Sequence, residues 1–218
     1  MIKESRWKYP HINMVASGVA DKNRCFWATD VSDFYEKYHD EEWGVPCFDE
    51  HKMFEMLILE GAQAGLSWQT VLAKRENYRN AFDNFNIEII ASYSEEKVQK
   101  LLLDVGIIRN RLKIRATISN AQALQRLRET TAHPETALSD FFWKYVDGKP
   151  KQNAVKSRAD VKVTTPESDA LSKALKRAGF KFVGSTIVYA HMQACGMVND
   201  HLTTCFRYKA IRGMNQRL

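Results

Sequence analysis

His201 and Cys205 lie four residues apart and would share one face of a helix, where they could bind a single metal ion. Imidazole nitrogen and thiolate sulfur suit zinc, although one such pair is a weak motif by itself. Cys25 and His39 could supply two more ligands. Two Cys and two His would leave no open position for water, which makes the set a structural zinc site joining the two ends of the chain. Without an export signal, the four widely spaced cysteines (Cys25, Cys47, Cys195 and Cys205) read as free thiols or metal ligands rather than a disulfide framework.

A second group is aromatic. Trp27, Tyr35, Tyr38, Trp43 and Trp68 fall close to His39, Asp40, Glu42 and Glu60. Aromatic side chains usually build core. This company is less usual, because a pocket that sandwiches a flipped base needs ring faces together with a few groups that read its hydrogen-bonding edge. At 100° per residue, Glu60 falls between Met53 and Met56 on the inward arc that also holds Leu57 and Gly61. A carboxylate there is either paired with a buried Lys or Arg or lines a cavity and meets a ligand, and both readings stay open. A third segment, GFKFVGST at 179–186, joins two predicted helices by a tight turn that could aim backbone N–H groups at a phosphate. On spacing alone the structural reading is preferred there: Gly179 ends a helix and Gly184 permits close packing.

Helices must position these groups. Asp49 can cap a helix carrying Met53, Phe54, Leu57, Ile58 and Gly61, which Gly65 breaks. Ser67 starts the next, through Val71 and Leu72, and Ser94 opens another with Val98, Leu101, Leu102 and Val105. Further helices are predicted over 107–124 and 138–146. Residues 147–165 are polar and hold Gly148 and Pro150, a long loop. Thr165 and Pro166 then fit the N-cap and first position of a helix that passes Leu171 and Leu175 and stops at Gly179, and another begins near Ser185. Alternating patterns are few and short, so the predicted fold class is all-α, without an internal repeat.

The 218 residues can bury one sizeable core, read as a single domain over 25–218. Residues 1–24 show no sustained period and read as an extension. A hydrophobic content of 44% with 27% charged residues excludes wholesale disorder. The net charge of +6 favours an anionic partner without identifying it, and since Lys and Arg are scattered, folding must assemble any basic surface. No apolar run approaches the roughly 18 residues of a membrane span, and no signal-peptide core is visible, so a cytoplasmic protein without a membrane partner is expected.

Taken together, Cys25 with Trp27, YHDEEWGVP at 38–46, LEGAQAGLSW at 59–68, GIIRNRLKI at 106–114, GFKFVGST at 179–186 and VNDHLTTC at 198–205 resemble the 3-methyladenine DNA glycosylase I family. The family is a branch of the helix-hairpin-helix glycosylases, and the matching stretches span nearly all of residues 25–205. The resemblance implies a two-lobed helical fold with a base pocket between the lobes. It implies one zinc held by Cys25, His39, His201 and Cys205, base contacts from Glu60 and Tyr38, stacking by Trp68, and pocket walls from Trp27 and Trp43. By the same resemblance the turn at 180–184, with Lys181, Gly184 and Ser185, meets the DNA backbone, and the loop with Gly65 and Leu66 inserts where the base has left the stack.

The expected activity is therefore hydrolytic excision of 3-methyladenine from alkylated double-stranded DNA by a monomer, with free 3-methyladenine as product. A cationic methylated base already leaves its sugar readily, so binding that tightens as the bond breaks suffices, with Glu60 as the residue nearest to a catalyst. Where bifunctional relatives place a lysine after the hairpin, this chain has Ser185 and Thr186, so no strand cleavage is expected. Asp200, beside His201, is expected to support a zinc ligand or cap a helix rather than act as catalyst. Two other classes compete: a non-enzymatic helix-hairpin-helix nucleic-acid-binding protein, which has no use for the pocket residues, and a small-molecule metallohydrolase, which needs an open metal position.

Overall fold

Capping side chains start the helices where the sequence places them. Asp49 accepts from the Lys52 N–H at 2.7 Å, Ser67 from that of Thr70 at 3.1 Å, and Ser94 from that of Lys97 at 3.4 Å. Thr165 and Ser168 form a reciprocal capping box with Pro166 at the first helical position. The structure, a computed structural model, describes residues 22–214, so the predicted extension lies outside the described residues except for 22–24. Those three are tied to the body: Arg24 pairs with Asp40 at 3.0 Å, and the Asn23 carbonyl accepts from Phe206 N at 3.0 Å.

In chain order the α-helices are α1 (Asp33–Glu41), α2 (Glu50–Gln63), α3 (Trp68–Leu72), α4 (Arg75–Ala81), α5 (Ile87–Ala91) and α6 (Glu95–Leu103), followed by α7 (Arg111–Glu129), α8 (Ala137–Trp143), α9 (Pro166–Arg177), α10 (Ser185–Ala194) and α11 (Phe206–Met214). Two short strands, β1 (Lys151–Gln152) and β2 (Val198–Asn199), pair in parallel and fasten the long polar loop to the segment after α10. Helix α2 is the central post, packed on α3, α7, α8 and α10, and 11 of its 14 residues are buried. A helix apolar on one stripe would cover one face; this one is enclosed. Helix α7 packs on α5, α6 and α8, while α9 and α10 pack on each other.

Several placements differ from expectation, among them the ends of α7 and α8, expected at 124 and 146 and found at Glu129 and Trp143. Helix α6 ends at Leu103 rather than carrying Val105, because Asp104 Oδ1 accepts from Gly106 N at 2.7 Å and turns the chain out of the helix. Helix α7 begins at Arg111, not near Ile107, since Asn110 caps it by accepting from Leu112 N and Lys113 N. His201 and Cys205 do not share a helix: the Thr203 N–H goes to the Val155 carbonyl at 2.8 Å and that of Cys205 to Leu202 at 2.8 Å, a turn anchored on the polar loop. No helix among the described residues is long and apolar enough to cross a membrane.

Candidate functional site

That turn still delivers both ligands to one point. Cys25, ahead of the first turn, His39 on α1, and His201 and Cys205 after β2 are all buried, with their ligand atoms within 4.8 Å of one another. Cys25 Sγ lies 3.5 Å from His201 Nδ1, and Cys205 Sγ lies 3.6 Å from both His39 Nε2 and His201 Nδ1. A tetrahedron with Zn–S of about 2.3 Å and Zn–N of about 2.05 Å has S···N edges of about 3.55 Å. The donor set thus fits a zinc ion in both chemistry and spacing. The other ring nitrogens are engaged as ligating histidines require, His39 Nδ1 with Asp40 at 2.9 Å and His201 Nε2 with the Trp43 carbonyl at 3.0 Å. Leu202 N and Arg207 N donate to Cys25 Sγ and Cys205 Sγ, both at 3.4 Å. Contact with Cys25 pulls the Cys205 thiol below the ordinary thiol range, and the same contact with burial pushes the Cys25 thiol up.

Trp27 and Trp43 stand edge to face 5.0 Å apart, Trp43 contacts His201 at 4.6 Å and Trp27 contacts His39 at 5.1 Å. Both also line a cavity of about 200 Å³, together with Tyr35, Tyr38, Glu60 and Trp68. The Cys and His cluster and the pocket therefore share a wall. Tyr38 and Trp68 meet at 5.6 Å with planes tilted by 53°. Tyr38 Oη, Glu60 Oε2 and Trp68 Nε1 are each buried without a hydrogen-bond partner. Leaving one such group unmet costs about 1–3 kcal/mol, so three in one cavity make it the candidate binding site.

Helix α2 provides its own control. It buries three glutamates five residues apart, Glu50, Glu55 and Glu60. Glu50 accepts from Arg128 Nε at 2.9 Å and Leu138 N at 2.8 Å, and Glu55 is bridged by Arg75 and Arg79. Glu60 has neither, which decides the open choice in favour of the cavity. Burial alone pushes its carboxyl up to about 8, so without a cation beside it Glu60 holds its proton at neutral pH. Burial and the nearby Glu60 likewise push Tyr38 up.

The remaining site residues lie on two connections. Gly65 (φ +80°) and Leu66, 42% exposed, form the turn between Gln63 and Trp68, two residues that both line the cavity. The turn thus sits on its rim. Gly179, at φ +95°, ends α9, and Phe182 crosses Gly61 of α2 so closely that a Cβ on Gly61 would stand 3.2 Å from the Phe182 Cβ. Gly184 precedes α10 and offers no side-chain cap, so the first N–H groups of α10 receive no capping side chain, and a Cβ at Gly184 would meet nothing within 4 Å. The Lys181 N–H is already taken by Asn120 at 2.7 Å, and its side chain is exposed. The Ser185 hydroxyl is engaged by Ser168 and Asp169.

Asp200 departs from expectation. It supports no zinc ligand and caps no helix; it accepts from Asn153 at 2.6 Å, Tyr189 at 2.7 Å and Gln193 at 2.8 Å, and it lines the base-sized cavity. Sequence reasoning also missed Lys113 and Asn120, although Lys113 lies inside the GIIRNRLKI stretch that resembles the family.

A helical body with a closed Cys and His cluster, an aromatic cavity holding unmet polar groups, and an uncapped helix start reached by a glycine turn has the ring faces and polar groups that a pocket for a planar base requires. The methyladenine glycosylase family matches residues 27–208, and the chain belongs to that family. It is 50% identical over 185 residues to DNA-3-methyladenine glycosylase 1 of Escherichia coli (strain K12), covering 85% of this chain and 96% of that one. A crystal structure of 3-methyladenine DNA glycosylase I superposes with TM-score 0.80 at 53% identity, covering 84% of this chain and 98% of that chain. A variant of 3-methyladenine DNA glycosylase I in complex with 3-methyladenine has TM-score 0.79 at 34% identity, covering 84% and 96% of the two chains.

Proposed function

We propose that this chain is a DNA glycosylase that turns 3-methyladenine out of alkylated double-stranded DNA and hydrolyses its N-glycosidic bond, leaving an abasic site and an uncut strand. The observation that carries the reading is the convergence of unpartnered Tyr38 Oη, Glu60 Oε2 and Trp68 Nε1 in one aromatic cavity, in a chain of this family. Trp68 and Tyr38 offer ring faces for the base and Glu60 meets its polar edge. A 3-methylated adenine is cationic in DNA and leaves as a neutral base, so the departing group needs no strong acid. The Glu60 carboxyl, pushed up to about 8 by burial, ionises more readily when a cation enters beside it, which couples recognition of the damaged base to its own charge. A water-poor pocket with that carboxylate near the base can stabilise charge where it redistributes as the bond breaks.

The framework is read as one two-lobed helix-hairpin-helix domain over 25–218, acting as a monomer in the cytoplasm. One zinc on Cys25, His39, His201 and Cys205 would cross-link the chain ends and brace Trp27 and Trp43, with all four positions filled by protein. Trp27 and Trp43 wall the pocket; Gly65 and Leu66 fill the place of the turned-out base; the Lys181 side chain, the uncapped N–H groups after Gly184, and Ser185 at that helix start hold the backbone. Ser185 and Thr186 stand where a lyase would place its amine, so no strand cleavage follows.

Incubating the purified chain with methylated duplex and identifying released bases by chromatography tests the reading. Free 3-methyladenine with intact strands is the expected result. Tight binding to abasic-site duplex with no base released would instead establish the non-enzymatic nucleic-acid-binding alternative.

A further inference from the structure

Helix α7 reaches both segments that the proposed function turns toward DNA, and it does so from one side. Lys113 and Asn120 are seven residues apart, so they project in nearly the same direction about 10 Å apart along the axis. Lys113 Nζ donates to the Ala62 and Ala64 carbonyls, 2.7 Å each. These close the C-terminal end of α2, where carbonyls lack helical partners, and the next two residues are Gly65 and Leu66. Asn120 holds the hairpin by both of its amide atoms: Oδ1 accepts from Lys181 N at 2.7 Å and Nδ2 donates to Lys181 O at 3.1 Å. Between the two clamps, Gly61 and Phe182 close the seam with Thr117 of α7 around a small cavity.

Local helix chemistry does not explain Lys113. It sits in the first turn of α7, where the helix dipole disfavours a cation. The opposing end of α2, with its partial negative charge and free carbonyls, offsets that cost. Asn120 is buried in mid-helix, a position where asparagine is a poor helix former, and both of its side-chain hydrogen bonds go to one residue of the hairpin.

We propose that Lys113 and Asn120 are positioning residues that set the spacing between the Gly65–Leu66 turn and the 180–184 hairpin, so that both engage one duplex while the base enters the pocket. This rests on the DNA glycosylase reading above. Two contacts made by a preset frame avoid the ordering cost that two independent loops would meet on binding. Neither residue lines the base cavity, so base recognition and duplex engagement separate.

Lys113→Met, Lys113→Arg and Asn120→Ala in the full chain distinguish the possibilities. Affinity for abasic-site duplex and single-turnover excision of methylated duplex should each fall roughly tenfold in Lys113→Met and Asn120→Ala, while affinity for free 3-methyladenine stays unchanged. Lys113→Arg, which keeps paired donors, should recover most of the loss. The salt dependence of duplex affinity should keep its slope in Lys113→Met; a slope reduced by about one would make Lys113 a phosphate contact and overturn the proposal. Amide exchange gives a readout that survives partial destabilisation: Lys113→Met should speed exchange over 62–67 more than over 53–60, and uniform acceleration would also overturn it. Unchanged duplex affinity in both variants would do the same. A wild-type chain that releases no base would instead refute the glycosylase reading, leaving the exchange and duplex-affinity results to stand by themselves.

Discussion

Two buried polar sites share one aromatic wall, Trp27 and Trp43, and treat their polar atoms in opposite ways. In the Cys and His cluster the ring nitrogens and thiol sulfurs are spaced for a tetrahedral ion and backed by Asp40, the Trp43 carbonyl and two backbone N–H groups. In the cavity, a hydroxyl, a carboxyl oxygen and an indole N–H are buried with nothing to meet them. Buried polar groups that are satisfied add to stability, and those left unmet subtract from it. The cluster is therefore built for the fold and the cavity is built against it. Such a debt persists only where binding something else repays it, and Glu50 and Glu55, both paired on the same helix as Glu60, show that the chain can satisfy a buried glutamate when stability is all that matters.

The largest expected effect lies in the cluster. Structural zinc in small domains contributes on the order of 10 kcal/mol, comparable with the whole margin of a typical domain. Cys205→Ala should therefore remove stoichiometric zinc and lower Tm by more than about 10 °C, at roughly 2–4 °C per kcal/mol for a chain of this size. Because Trp27 and Trp43 lean on the cluster, free-base affinity should fall with it. A metal assay finding no zinc in the intact protein would remove the basis of the comparison.

The next effect inverts the usual sign. Burial raises the Glu60 carboxyl from 4.5 to about 8, so the folded state holds the proton more tightly than the unfolded chain across that window. Stability is thus lost as pH rises through it, at about 1.4 kcal/mol per pH unit at most. Without base bound, Glu60→Gln should match wild type near pH 4.5 and gain on it progressively up to about pH 8, by a few kcal/mol. Parallel pH–Tm curves for the two proteins would show that Glu60 is not an unmet acid.

Much of this is legible in the amino-acid sequence. Caps at Asp49, Ser67, Ser94 and Thr165 are local chemistry, and they fix four helix starts. The inward position of Glu60 follows from helical periodicity, but whether it is paired does not, since the arginines that bridge Glu55 come from another helix. The four-residue spacing of His201 and Cys205 pairs two residues that do meet, but through the wrong element: a turn held by the Val155 carbonyl, not a helix, brings them together. The environment of Asp200 is hidden for the same reason, because its partners Asn153, Tyr189 and Gln193 are distant or on α10, out of reach of any local pattern.

On the binding side, Glu60→Gln should slow excision by roughly ten- to a hundredfold, the worth of a charge-assisted hydrogen bond. Affinity for free 3-methyladenine should fall in parallel, because the amide replaces one of the two carboxyl oxygens that can meet the polar edge of the base. Single-turnover rates set beside base affinity decide this. Excision lost by many orders of magnitude with base affinity intact would make Glu60 a chemical catalyst and not a recognition group.

The smallest effect isolates one unmet donor. Trp68 Nε1 is buried without a partner, while the indole face meets Tyr38 at 5.6 Å and fronts the cavity. Trp68→Phe keeps a ring for stacking and deletes only the N–H, with some loss of area. If the cavity is built for a ligand, removing an unsatisfied donor should leave stability unchanged or raise it, by about 1 kcal/mol at most, offset in part by the smaller ring. Free-base affinity should fall about two- to tenfold, the worth of one neutral hydrogen bond of about 0.5–1.5 kcal/mol. The two readouts move in opposite directions only if the indole N–H is reserved for the bound base. A variant less stable than wild type by several kcal/mol, with base affinity unchanged, would place Trp68 with the cluster as part of the fold and erase the distinction between the two sites.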